Sequence, residues 1–130
     1  MANKTYDLLL ELAKDVAVTS TASTTGVNIA GLNIGSASYI AVISNSAVTG
    51  TVDASNQYNC KLEVSNAAGG PYVQFGPIIT FNATAGSTQI GFTSEQLNSR
   101  VSGANFFRIT VTKVGTTATG VTVSAFLSKI

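Results

Sequence analysis

From Val16 onward, apolar and polar residues alternate with a period of two, the pattern of strands with one face buried and the other exposed. Tyr58, Cys60, Leu62 and Val64 share one parity, while Asn59, Lys61 and Glu63 take the other and are expected to face out. Phe107, Ile109 and Val111 point inward by the same rule, as do Val121, Val123, Ala125 and Leu127. Residues 39–43 are apolar on both faces, which fits a central strand. Residues 72–81 are interrupted by Gly76-Pro77, which fits an edge strand or a bulge because proline cannot donate to a ladder. Short segments at 16–18, 27–34 and 89–92 complete about eight strands, with a Thr/Ser-rich linker after the first.

Turn residues cluster at 66–71, 85–87 and 115–120, and the last cluster predicts a hairpin between the final two strands. Thr93-Ser94-Glu95-Gln96 has capping-box spacing ahead of Leu97, which predicts one helical turn. At 130 residues the chain suits one domain with a real core. The fold class is therefore all-β: an antiparallel β-sandwich of jelly-roll or immunoglobulin-like connectivity over residues 16–130. Residues 1–15 form a leucine-rich N-terminal arm or helix.

Charge is unevenly placed. Charged residues make up only 10% of the chain, against the usual quarter, so most of the polar surface must be hydroxyl and amide. Five charges lie between Lys4 and Asp15, and none occurs in 16–52, 64–94 or 114–128. The seven Lys and Arg are scattered and the net charge is +1, which argues against direct nucleic-acid binding. No apolar run is long enough for a membrane helix, so no membrane partner is expected. Asp7, Glu11 and Asp15 interrupt the leucines, unlike a signal peptide, which predicts a chain made without secretion.

The arm reads two ways. Leucine content and a possible Thr5 cap favour a helix, but Asp7/Glu11 and Glu11/Asp15 are like charges four apart. Read as extended, Tyr6, Leu8, Leu10 and Leu12 share one side. Either way about ten residues cannot bury so much apolar surface against themselves, so Tyr6, Leu8, Leu9, Leu10 and Leu12 are candidate partner-binding residues. Phe106 and Phe126, of opposite parity to the inward residues of their strands, join them. Tyr72, Phe75, Phe81, Phe92 and Phe107 fit core positions.

Catalytic chemistry finds little to work with. There is no histidine, which removes the commonest general base and the usual Ser or Cys activation partner. The carboxylates Asp53, Glu63 and Glu95 are far apart in sequence, and Cys60 lies on an apolar face, as a small core residue would. Residues 53–56 carry one carboxylate and read as a polar turn, not a calcium loop. Gly26, Gly31 and Gly35 precede no helix and form no phosphate loop. The expectation is a protein without enzymatic activity, metal or cofactor.

The order of features resembles the small β-sandwich cement, or head-decoration, proteins of tailed-bacteriophage capsids. The resemblance runs from Tyr6-Asp7-Leu8-Leu9-Leu10-Glu11 into Asp15-Val16-Ala17-Val18-Thr19-Ser20, through Ser38-Tyr39-Ile40-Ala41-Val42. It closes with Asn105-Phe106-Phe107-Arg108-Ile109-Thr110-Val111-Thr112 and Gly120-Val121-Thr122-Val123-Ser124-Ala125, and the middle of the chain, around Cys60 and Gly76-Pro77, matches less well. It implies a jelly-roll-like domain, a homotrimer, made in the host cytoplasm and bound to the major capsid protein on the outer surface of the virion. The alternatives are another virion or fibre subunit, tail-tube or pilin-like, or a carbohydrate-binding module.

Overall fold

The computed structural model describes residues 11–29 and 38–129. Among them are ten strands and one helix: β1 (Glu11–Val18), β2 (Ala22–Ser23), β3 (Val27–Asn28), β4 (Ser38–Asn45), β5 (Thr49–Gly50), β6 (Gln57–Ser65), β7 (Val73–Phe81), β8 (Gly86–Thr93), α1 (Ser94–Arg100), β9 (Phe106–Val114) and β10 (Ala118–Lys129). One sheet runs β1-β10-β4-β8 with β5 also on β10; the other runs β2-β9-β6-β7 with β3 also on β9. Every pairing is antiparallel.

The connectivity is that of a folded-over ribbon. β1 pairs with β10, β2 and β3 with β9, β4 with β8, and β6 with β7. Each pair nests inside the one before it, and rolling that ribbon lays alternate pairs into opposite sheets, the jelly-roll arrangement. Of the two connectivities the sequence allowed, this is the one adopted.

Three expectations need correction. The strands number ten rather than eight, because β2 lies in the Thr/Ser-rich linker and β5 is a two-residue strand on β10. The final two strands form no hairpin: β9 and β10 belong to different sheets. Each fills both its edges elsewhere, β9 with β6 and β2–β3, β10 with β4 and β1, so the turn at Gly115 crosses from sheet to sheet. Residues 11–15, read as arm, are strand within the sandwich, extended and not helical.

Other expectations hold. β4 is central, between β10 and β8, and β7 is an edge strand. Its register on β6 breaks between Cys60 and Leu62, where the single Lys61 faces three β7 residues, Gly76, Pro77 and Ile78. Asp53 and Asn56 close a polar turn, with Asp53 Oδ1 accepting from the Ser55 N–H at 2.9 Å.

The core lies between the sheets. Tyr58, Cys60, Leu62 and Val64 meet Val123, Ala125 and Leu127 there, all at most 1% exposed. At one end Tyr39 stacks on Phe92 with centroids 5.4 Å apart, and Phe75 sits edge-on to Phe92 and Phe107 at 5.2 and 5.9 Å. Such pairs add about 0.5–1.5 kcal/mol each beyond area burial. The α1 helix closes that end with Leu97, and begins on the predicted capping box of Thr93 and Gln96. Tyr72 is not a core residue: it is half-buried, its ring lies 4.0 Å from the Arg108 guanidinium carbon and its hydroxyl donates to the Ala68 carbonyl.

Candidate interaction face

The two outer sheet faces differ in chemistry, because alternation that buries one side of each strand sends the other to the surface. On the β2-β9-β6-β7 sheet that surface is charged. Glu63, expected to be exposed, is 6% exposed although it points away from the core. Arg108 Nε donates to its Oε1 at 2.7 Å, the Thr110 hydroxyl donates to the same oxygen, and Lys61 Nζ lies 3.5 Å from Oε2. Burial alone would raise its pKa, but these hydrogen bonds and the two cations outweigh it and hold the carboxyl below its ordinary value.

The opposite face carries no such charges. Phe126, Ser124 and Ser128 of β10 stand beside Val42, Ser44 and Ile40 of β4. These in turn stand beside Gln89, Ser87 and Gly91 of β8. β4 and β8 contain no charged residue, and β10 none before Lys129. Each of these strands comes from one of the three charge-free runs in the sequence, and the topology brings them side by side. Half-buried Ile40 and Val42 lie in its middle on β4, with half-buried Phe126 beside Val42 on β10, flanked by serines, Gln89 and Gly91. Protein interfaces commonly combine an apolar core with a polar rim. Charge returns at the β1 border, where Glu11 is paired with Phe126 and Ser124 Oγ donates to Asp15 Oδ1 at 3.1 Å.

The candidate residues do not all come together. Phe126 lies on this face, on β10 next to the charged β1 border. Phe106 opens β9 on the other sheet, paired with Ser65 and Asn28. Leu12 is 5% exposed and belongs to the chain's own core, so it offers no surface. Tyr6, Leu8, Leu9 and Leu10 lie outside the described residues. Sequence reasoning missed Ile40 and Val42 as surface residues, although a segment apolar on both faces was the signal: one set fills the core and the other faces outward.

A second feature is an open cleft of about 450 Å³ between the β1 edge of one sheet and the β2–β3 edge of the other. Leu12, Val16, Val18, Val27, Ile109 and Val111 line it, with Glu11 as its one ionisable group. Its lining is suited to apolar groups and lacks the convergent acid–base pair that hydrolysis would need. Cys60 is fully buried, and burial pushes its thiol up to about 12, away from nucleophilic use. Among the described residues no three His, Cys, Asp or Glu side chains lie close enough to share a metal ion, and no helix is long and apolar enough to cross a membrane. No family model matches the chain, and no curated protein matches it.

Proposed function

We propose that this chain is a structural binding protein that attaches as a homo-oligomer to the outer surface of a tailed-phage capsid and bridges neighbouring major capsid subunits. The observation that carries the reading is the charge-free face of β10, β4 and β8 with Ile40 and Val42 in its middle and Phe126 beside them. A sheet face that leaves Ile40 and Val42 half-exposed, with no charge on their strand or on β8, gains free energy when a partner covers it. The order of sequence features that resembles capsid cement proteins supplies the identity of that partner. The mechanism is linkage: a protein that binds only the assembled lattice stabilises it by mass action, and several copies acting together turn modest contacts into lasting attachment.

The test mixes purified protein with bare, expanded capsids and reads added density by electron microscopy. Wild type decorates the shell, and Val42→Lys and Phe126→Lys, which place a charge on this face, reduce binding at least tenfold while circular dichroism stays unchanged. Absence of added density, or decoration that both lysine variants leave intact, overturns the proposal.

A further inference from the structure

A strand at the border of a sheet presents unpaired N–H and C=O groups, and proteins that must stay apart guard such edges with charge, proline, bulges or shortness. Among the described residues the sandwich has four borders, formed by β1, β8, β7 and the broken pair β2–β3. Three of them are guarded. β1 carries Glu11, Lys14 and Asp15, has two register breaks, and holds Asp15 at a φ of 47°. β2 and β3 are two residues each. β7 is interrupted at Gly76-Pro77.

β8 has none of these devices. Its register on β4 is unbroken from Gly86 to Thr93, and its eight residues include no charge and no proline. It also contains Gly91, inside the strand, which nothing inside the chain requires; Gly86 only opens the strand from the turn at 85–87. Gly86 and Gly91 have no left-handed backbone, and a Cβ on either would approach its nearest neighbour only to 3.7 and 3.9 Å, ordinary contact. Glycine weakens a strand interior, and where the chain itself does not demand it, close approach of another backbone is the usual reason.

We infer that β8 is a pairing edge for a second copy of this chain, joined β8 to β8 antiparallel across a two-fold axis. The occupant follows from charge. Across a two-fold axis residue i faces residue j and j faces i, with only the residue on the axis meeting itself, so an edge without charge meets no like charge in any register. Ser87 and Gln89 each both donate and accept hydrogen bonds and are therefore complementary to themselves. An edge of eight residues is roughly 27 Å long. Pairing there makes one continuous surface of β10-β4-β8 and its counterpart, six strands and roughly 29 Å wide at ~4.8 Å per strand, without a charge before Lys129. This goes beyond the capsid proposal and needs no capsid to be tested. It also gives pairs, an assembly distinct in mass from the trimer that the resemblance implies.

The experiment is size-exclusion chromatography with light scattering on wild type, Gln89→Lys and Ser87→Lys, with hydrogen exchange of the β8 amides. Both substituted positions are exposed, so the fold tolerates lysine there. Wild type gives the mass of two chains, either lysine variant weakens association at least tenfold, and the β8 amides exchange faster in the variants. A wild-type mass of one or three chains, a pair that survives both substitutions, or β8 exchange that is the same in all three proteins overturns the inference.

Discussion

Arg108 Nε donates to Glu63 Oε1 across 2.7 Å between directly paired positions of β9 and β6, on the outer face of their sheet. The pair is clamped from above by Tyr72, whose ring lies 4.0 Å from the guanidinium carbon, and from the side by Thr110. Ser23 Oγ lies 2.7 Å from Thr110 Oγ1, so the cluster also fastens β2 to β9. It explains how a carboxylate can be buried on an outward face: its oxygens are satisfied by a guanidinium, a hydroxyl and an ammonium group.

Glu63 therefore makes stability depend on pH. Its folded pKa is depressed, so the stabilisation is present above the unfolded glutamate value of about 4.3 and is lost as pH falls through the folded value. Glu63→Gln keeps the shape and removes the charge, and costs on the order of 1 kcal/mol at neutral pH. Urea unfolding of both proteins from pH 7 to pH 3 should show the gap closing at the acid end. A gap of constant size across that range would sink the idea.

Leu12 is a core residue at the start of β1, 5% exposed beside the cleft. Leu12→Ala is expected to destabilise the domain by about 2–5 kcal/mol in urea. If instead stability is unchanged and only partner binding suffers, Leu12 belongs to a docking surface and its placement in the core is wrong.

The capping box is a local device with a local cost. Thr93 Oγ1 accepts from the Gln96 N–H at 3.2 Å, and Gln96 Oε1 accepts from the Thr93 N–H at 2.9 Å. Thr93→Ala should cost about 1 kcal/mol, with Thr93→Ser restoring most of it. Equal unfolding midpoints for wild type and alanine variant would show that α1 does not depend on its cap.

Cys60 offers a probe of opening. Its thiol is fully buried and raised to about 12, so a disulfide reagent at pH 8 should modify the native protein orders of magnitude more slowly than the urea-unfolded chain. Rapid, complete labelling in native buffer would mean that the sheets part locally at β6.

Much of this architecture was legible because strand parity is a local property. Phe107, Ile109 and Val111 are all buried, as are Val121, Val123, Ala125 and Leu127, and alternation alone assigns them inward. Gly76-Pro77 marked an edge because a missing N–H has the same consequence in any sheet. Partner choice is not local. The turn at Gly115 suits a hairpin as well as a crossing between sheets, and the parity of β9 and β10 is the same in both, so only the competition for β6 and β4 decides it. Glu63 alternates as an exposed residue should, and becomes buried because Arg108 and Thr110, far along the chain, arrive beside it.

By itself the sequence determined which residues of each strand face the core, where α1 begins, and that three long runs would lack charge. Those features follow from backbone periodicity, side-chain capping and composition, which act over a few residues. Only the tertiary structure decided that β4, β8 and β10 stand side by side, gathering those runs into one uncharged face with Ile40 and Val42 in its middle and unguarded β8 at its border. The physical reason is that antiparallel pairing joins strands by long-range hydrogen bonding and core packing, and neither leaves a mark in the residues nearby.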